Sequence, residues 1–131
     1  QLLSLINNTI NDCNIGIKTV PVKQMEIYNN IISNCTTGMS SSVAITHNTR
    51  SFIDYNNVYN CTNDYTNITP GSNGVDLDPE YVGSGDYSVG DNMKGIGYPP
   101  TIFGSPQSKD LGALQTEESG GGGETNYGNI T

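Results

Sequence analysis

Three short stretches of this chain are versions of one another. Residues 5 to 13 read LINNTINDC, residues 27 to 35 read IYNNIISNC, and residues 53 to 61 read IDYNNVYNC. One pattern covers them: an aliphatic residue, Asn three positions on, Ile or Val two further, and Cys three further. Its occupants are Leu5-Asn8-Ile10-Cys13, Ile27-Asn30-Ile32-Cys35 and Ile53-Asn56-Val58-Cys61, with steps of 22 and then 26 residues. Between the first two copies the match runs on from Gly16-Ile17 to Gly38-Met39. Repeats of roughly 20 to 45 residues are stacked units, none of which buries its apolar face alone.

Composition decides what the unit is made of. The copies are rich in Asn, Gly, Thr and β-branched residues, all poor occupants of helix interiors. The unit is therefore predicted to be a coil of short strands and turns, with equivalent residues roughly 4.8 Å apart in neighbouring coils. The inward ladders are Leu5/Ile27/Ile53, Ile10/Ile32/Val58 and Cys13/Cys35/Cys61. Asn8, Asn30 and Asn56 are predicted to stack at a turn, their amides bonding to each other and to the backbone. The four extra residues before the third copy are assigned to the loop around Ser40 to Ser51.

The spacing and the asparagine ladder resemble the right-handed parallel β-helix of pectate-lyase-like proteins and many phage tailspikes, over about residues 3 to 62. A second resemblance covers residues 75 to 115. VDLDPEYVGSGDYSV, residues 75 to 89, is similar to a segment that closes many secreted and viral β-helix proteins. DLGALQ, residues 110 to 115, resembles the motif that ends the same class, although Ser105-Pro106-Gln107-Ser108 departs from the usual intervening sequence. The implied fold is all-β: about three coils over residues 1–69, an irregular cap over 70–116 and a Gly-rich tail over 117–131. Gly and Pro punctuate the chain from Thr69 to Pro106, and this segment is expected to cover the open end of the stack, where unpaired backbone would otherwise be exposed. The tail holds Gly120, Gly121, Gly122 and Gly123 and reads as a linker. Three coils bury little, so a homo-oligomer or larger assembly is the expected support.

Charge excludes one class of partner. The net charge is −8, and residues 76 to 131 hold nine acids against Lys94 and Lys109. No basic patch exists to neutralise phosphates, so nucleic acid is set aside. No apolar run approaches the length of a membrane span, and no signal-peptide pattern is read in these residues. The chain starts without Met and ends at Asn129-Ile130-Thr131, which reads as part of a longer or processed protein.

Candidate chemistry is sparse. The cysteines sit one per coil, not in the close pairs that converge on zinc, and read as small buried reduced thiols. A catalytic carboxylate pair on a β-helix would occupy equivalent positions in adjacent coils. Here Asp12 aligns with Asn34 and Asn60, Asp54 with Tyr28 and Ile6, and Glu26 with Ser4 and Phe52, so no acids stack. Lys18, Lys23 and Arg50 fall in loops. Asp76-x-Asp78 with Glu80 and Asp86 fails as a calcium loop after two positions, and His47 reads as a solvated loop residue. No metal or cofactor is expected.

Two features remain. Asn7, Asn34, Asn60, Asn67 and Asn129 each have Thr two residues on; chance alone gives about three such sequons in this composition. Tyr28, Tyr55 and Tyr59 lie between inward positions, and outward Tyr beside Asn and Thr suits contact with surface carbohydrate. Two function classes follow: a non-enzymatic, extracellular structural or adhesive segment of a virion or cell surface, or the C-terminal part of a polysaccharide lyase or hydrolase whose active coils lie upstream.

Overall fold

The computed structural model describes residues 1–98 and 110–115. Nine strands follow in order: β1 (Leu2–Ile6), β2 (Thr9–Asn11), β3 (Ile15–Thr19), β4 (Gln24–Tyr28), β5 (Ile31–Ser33), β6 (Thr37–Thr46), β7 (Ser51–Asp54), β8 (Asn57–Tyr59) and β9 (Asn63–Thr69). Every third strand pairs in parallel, giving three sheets ordered β1-β4-β7, β2-β5-β8 and β3-β6-β9. The chain is a parallel β-solenoid of three turns. The register matches the repeat: Leu5 pairs with Ile27 and Ile27 with Ile53, while Ile10 pairs with Ile32 and Ile32 with Val58. Thr19 pairs with Ser41 but Met25 with Ser51, so the longer second step is absorbed between those two residues. Part of it is a bulge in β6 between Ser40 and Ile45.

The doubled asparagines divide two tasks. Asn7 (φ 58°) and Asn29 (φ 60°) turn the corner between the first and second sheets in the left-handed conformation, which Asn tolerates better than most residues. The next residue of each pair builds the ladder. In the third coil Tyr55 takes the corner at φ 55°, a costlier choice, and Asn56 takes the ladder. A second corner, between the second and third sheets, is turned by Asp12, Asn34 and Asn60.

The core runs along the axis, with Ile17, Met25, Ile27, Ile32, Cys35, Met39, Ile45, Ile53, Val58 and Ile68 buried. Leu3, Leu5 and Ile10 of the first coil are only partly buried, β1 and β2 being edge strands of their sheets. Of the three ladder cysteines, Cys35 is buried, Cys61 is partly so and Cys13, on the edge coil, is exposed. All three are free thiols.

The segment after the coils does more than cover an end. Gly71 N–H bonds Ile53 O (2.8 Å), Val75 N–H bonds Asn56 O (2.9 Å), and Val58 N–H bonds Val75 O (3.1 Å), forming a partial fourth rung. The chain then turns back along the outside of the β2-β5-β8 sheet as a strap. Its anchors are the outward residues of one ladder, Thr9-Ile31-Asn57. Asn57 pairs its amide both ways with the main chain of Leu77, at 2.9 and 2.8 Å. Ile31 is buried with Met93 and Leu111, and Thr9 Oγ1 accepts Ala113 N–H (2.9 Å). The segment expected to cover the end of the stack thus pairs with the third coil and also reaches back to the first. The expectation was drawn from glycine and proline spacing, which carries no record that Ile31 faces outward and needs cover.

The DLGALQ stretch is the strap's fastening. Leu111 fills the apolar contact, and Asp110 Oδ1 accepts Gly95 N–H (2.8 Å). Asp110 and Gln115 close a small loop through two mutual bonds of 3.0 Å. Gly112 has φ +87°, and a Cβ there would meet Ile31 and Thr9 at 2.7 Å, so only glycine fits. Residues 99–109 and 116–131, including Pro99-Pro100, the Ser105–Ser108 stretch, the Gly-rich tail and Asn129, lie outside the described residues.

Candidate functional site

Along β1-β4-β7 the outward positions are Ser4/Glu26/Phe52 and Ile6/Tyr28/Asp54, as the alternation of a strand requires. Tyr28 and Phe52 meet edge to face, with ring centroids 5.7 Å apart. Tyr55 joins from the corner. A fourth ring arrives from the strap: Tyr98 lies 5.2 Å from Tyr28, 4.9 Å from Phe52 and 5.1 Å from Tyr55. His47 completes the patch, 5.1 Å from Phe52. All five side chains are half-buried, so each shows part of its surface to solvent while its neighbours hold it.

The patch is built rigidly. Asn29, at the corner, accepts Tyr98 N–H with Oδ1 and donates to Tyr98 O with Nδ2, both at 2.6 Å. His47 Nδ1 accepts Ile53 N–H (3.0 Å), and the main-chain N–H of His47 donates to Thr69 O (2.8 Å). His47 is therefore a packed loop residue, which corrects the reading of a solvated one. Glu26 supplies a carboxylate at the rim and accepts Ser4 Oγ (3.2 Å). Burial, then the Glu26 charge, then Tyr98 push the Tyr28 phenol above its ordinary pKa, so it stays a neutral hydroxyl across the physiological range.

Of the three tyrosines singled out in the sequence, Tyr28 and Tyr55 come together, while Tyr59 sits on the β2-β5-β8 sheet away from them. Phe52 and Tyr98 were missed. Phe52 carried a signal, since it aligns with outward Glu26. Tyr98 carried none, because its place depends on the route of the strap.

The asparagine ladder is continuous. Asn30 Oδ1 accepts both the main-chain N–H (2.9 Å) and the Nδ2 (3.0 Å) of Asn8, and Asn56 Oδ1 does the same for Asn30 (3.0 and 2.9 Å). The remaining Nδ2 protons reach Leu5 O and Ile27 O in the preceding coils. An outer amide row runs beside it, with Asn60 Nδ2 to Asn34 Oδ1 and Asn34 Nδ2 to Asn11 Oδ1, each 2.7 Å. Among the sequons, Asn34, Asn60 and Asn67 are exposed, whereas Asn7 is half-buried and donates to Asp110 O and Gly112 O.

Acid chemistry gathers in one place that the coil alignment did not find. Burial and the neighbouring Asp76 both raise the pKa of Asp64 on β9. Tyr65 beside them is pushed well above the ordinary phenol range, by burial first and then by Asp64, Asp54 and Asp76. Asp76 follows the partial fourth rung, so no register of three coils could pair it with Asp64. Among the described residues no group of three or more His, Cys, Asp or Glu could hold a metal ion, and no helix is long and apolar enough to cross a membrane. No family model, no curated protein and no solved structure matches the chain.

Proposed function

We propose that this chain is a non-enzymatic, extracellular structural and adhesive β-solenoid of a virion or cell surface, related to the pectate-lyase-like β-helices, and that it contacts surface carbohydrate. The observation that carries the reading is the ring cluster of Tyr28, Phe52, Tyr55 and Tyr98 on the outside of the β1-β4-β7 sheet. Sugar rings present C–H faces that pack on aromatic faces, and phenol hydroxyls and Glu26 supply polar contacts at the rim. The rings are held by packing and by Asn29, so little side-chain entropy is lost on contact. A homo-oligomer or larger assembly supports the short stack in this reading.

The test is binding of the native protein to an array of bacterial and host surface polysaccharides, repeated with Tyr28→Ala. Binding that weakens about tenfold in a folded variant, or ~1.4 kcal/mol, supports the reading.

A second reading has one observation in its favour. Burial and the charge of Asp76 raise the pKa of Asp64, the direction in which a glycosidase's general acid is shifted. Release of reducing ends or unsaturated sugars from those polysaccharides, abolished by Asp64→Asn, would make the chain part of a depolymerase.

A further inference from the structure

We propose that Asn73 is a self-modification site: its side-chain amide is lost through a cyclic imide closed by Gly74, and the product loosens the turn that closes the third coil. Asn73-Gly74 is the one Asn-Gly pair in the chain. Both residues are exposed, in the turn between β9 and the partial fourth rung. Gly74 has no side chain to shield its nitrogen, and its N–H makes no hydrogen bond among the described residues. The nitrogen that must attack is thus free of a competing bond.

The chemistry needs only water. Gly74 N attacks Asn73 Cγ and forms the ring's new C–N bond. The Cγ–Nδ2 bond breaks, and ammonia leaves with the proton that Gly74 N gives up. Water then opens the imide at either carbonyl, restoring a peptide N–H and leaving aspartate or isoaspartate. Nothing is oxidised or reduced.

What makes the site consequential is the partner of the lost amide. Asn73 Nδ2 donates to Asp54 Oδ2 (2.7 Å), and Asp54 Oδ1 accepts the main-chain N–H of Asn73 (2.8 Å) and of Tyr55 (2.9 Å). Asp54 is only 4% exposed and has no ion pair among the described residues. Conversion therefore replaces a donor with a second carboxylate against a buried one. Gly71 packs so closely on Asp54 that a Cβ there would lie 2.4 Å from Oδ2, so Asp54 has little room to swing away from position 73 while the turn keeps its place. When the turn moves, the bonds from Gly71 to Ile53 and from Val75 to Asn56 move with it.

The experiment incubates the native protein in mildly alkaline buffer at physiological temperature and maps its peptides by mass spectrometry, with enzymatic labelling of isoaspartate. Aspartate and isoaspartate are expected at position 73 ahead of every other asparagine, and Gly74→Ala is expected to slow the conversion severalfold. An intact Asn73 in the folded protein, under conditions where the denatured chain converts, would overturn the proposal. Asn73→Asp is expected to lower Tm by about 5 °C. The double variant Asp54→Asn/Asn73→Asp, which restores one amide facing one carboxylate, is expected to recover at least half of that loss. An Asn73→Asp protein as stable as the parent would refute the loosening.

Discussion

Asn29 holds Tyr98 by both main-chain groups of that residue, donating to its carbonyl and accepting its N–H at 2.6 Å. One side chain at a solenoid corner thus decides whether the strap presents its ring to the aromatic face. Asn29→Ala removes both bonds and also places Ala at φ 60°, a conformation it adopts with strain. The loss is expected to be about 2–3 kcal/mol. Asn29→Gly keeps the backbone relaxed and should cost about 1–2 kcal/mol. Chemical denaturation gives both values, and equal stability of Asn29→Gly and the parent would show that the clamp contributes nothing.

The ladder predicts a gradient. Asn30 and Asn56 are fully enclosed, with 0% and 1% exposure, while Asn8 is half-buried on the edge coil. Asn30→Ala leaves several buried backbone groups without partners and is expected to cost about 3 kcal/mol, and Asn8→Ala about 1 kcal/mol. Urea midpoints compare the two directly, and equal losses would contradict an end-to-middle ladder.

How much of this was legible beforehand follows from where each signal lies. The coil period, the inward positions and the ladder are local properties of a repeated pattern, so Leu5, Ile27, Ile53, Asn8, Asn30 and Asn56 could be placed by alignment. The corner role of Asn7 and Asn29 was hidden because both residues of each pair are asparagine. The strap was illegible because it has no period. Its path is set by outward Thr9, Ile31 and Asn57, whose cover lies up to 104 residues away in sequence. The differing exposure of Cys13 and Cys35 was illegible because a repeat treats all copies alike.

Thiol reactivity should follow the stack. Burial raises the Cys35 and Cys61 pKa values above the ordinary 9.0, which keeps these thiols protonated and slow to react. Cys13 is exposed and is expected to be alkylated first in the native protein, with Cys35 reacting only on unfolding. Because the folded thiols hold their protons longer than unfolded ones, their contribution to stability is complete below the unfolded value. It declines as pH rises through 9 toward the folded values. Labelling read by mass spectrometry orders the three sites, and rapid native labelling of Cys35 would contradict the packing.

Asp64 predicts the opposite side of the pH scale. Its pKa lies above 3.8 in the fold, so the folded state binds its proton more tightly than the unfolded state does. Its contribution is present in acid and lost as pH rises through the folded value. Asp64→Asn is therefore expected to stabilise the protein at neutral pH, with the gain shrinking below about pH 4. Thermal melts across pH measure this, and a variant less stable than the parent at neutrality would contradict it.

Gly112→Ala tests the strap's fastening. The added Cβ meets Ile31 and Thr9 at 2.7 Å and forces a strained φ, so a loss of about 2–3 kcal/mol is expected. Limited proteolysis should then cut within residues 75 to 98 while the coils persist. Unchanged protease resistance would show that the strap holds without this contact.

The central claim, contact with carbohydrate through the aromatic face, is tested most directly by titrating the native protein with the polysaccharide it binds best on an array, beside Tyr28→Ala and Tyr98→Ala. Each variant is expected to bind about tenfold more weakly, with its circular dichroism unchanged and no sugar released. Binding that survives both substitutions undiminished, or no binding to any polysaccharide, would contradict it.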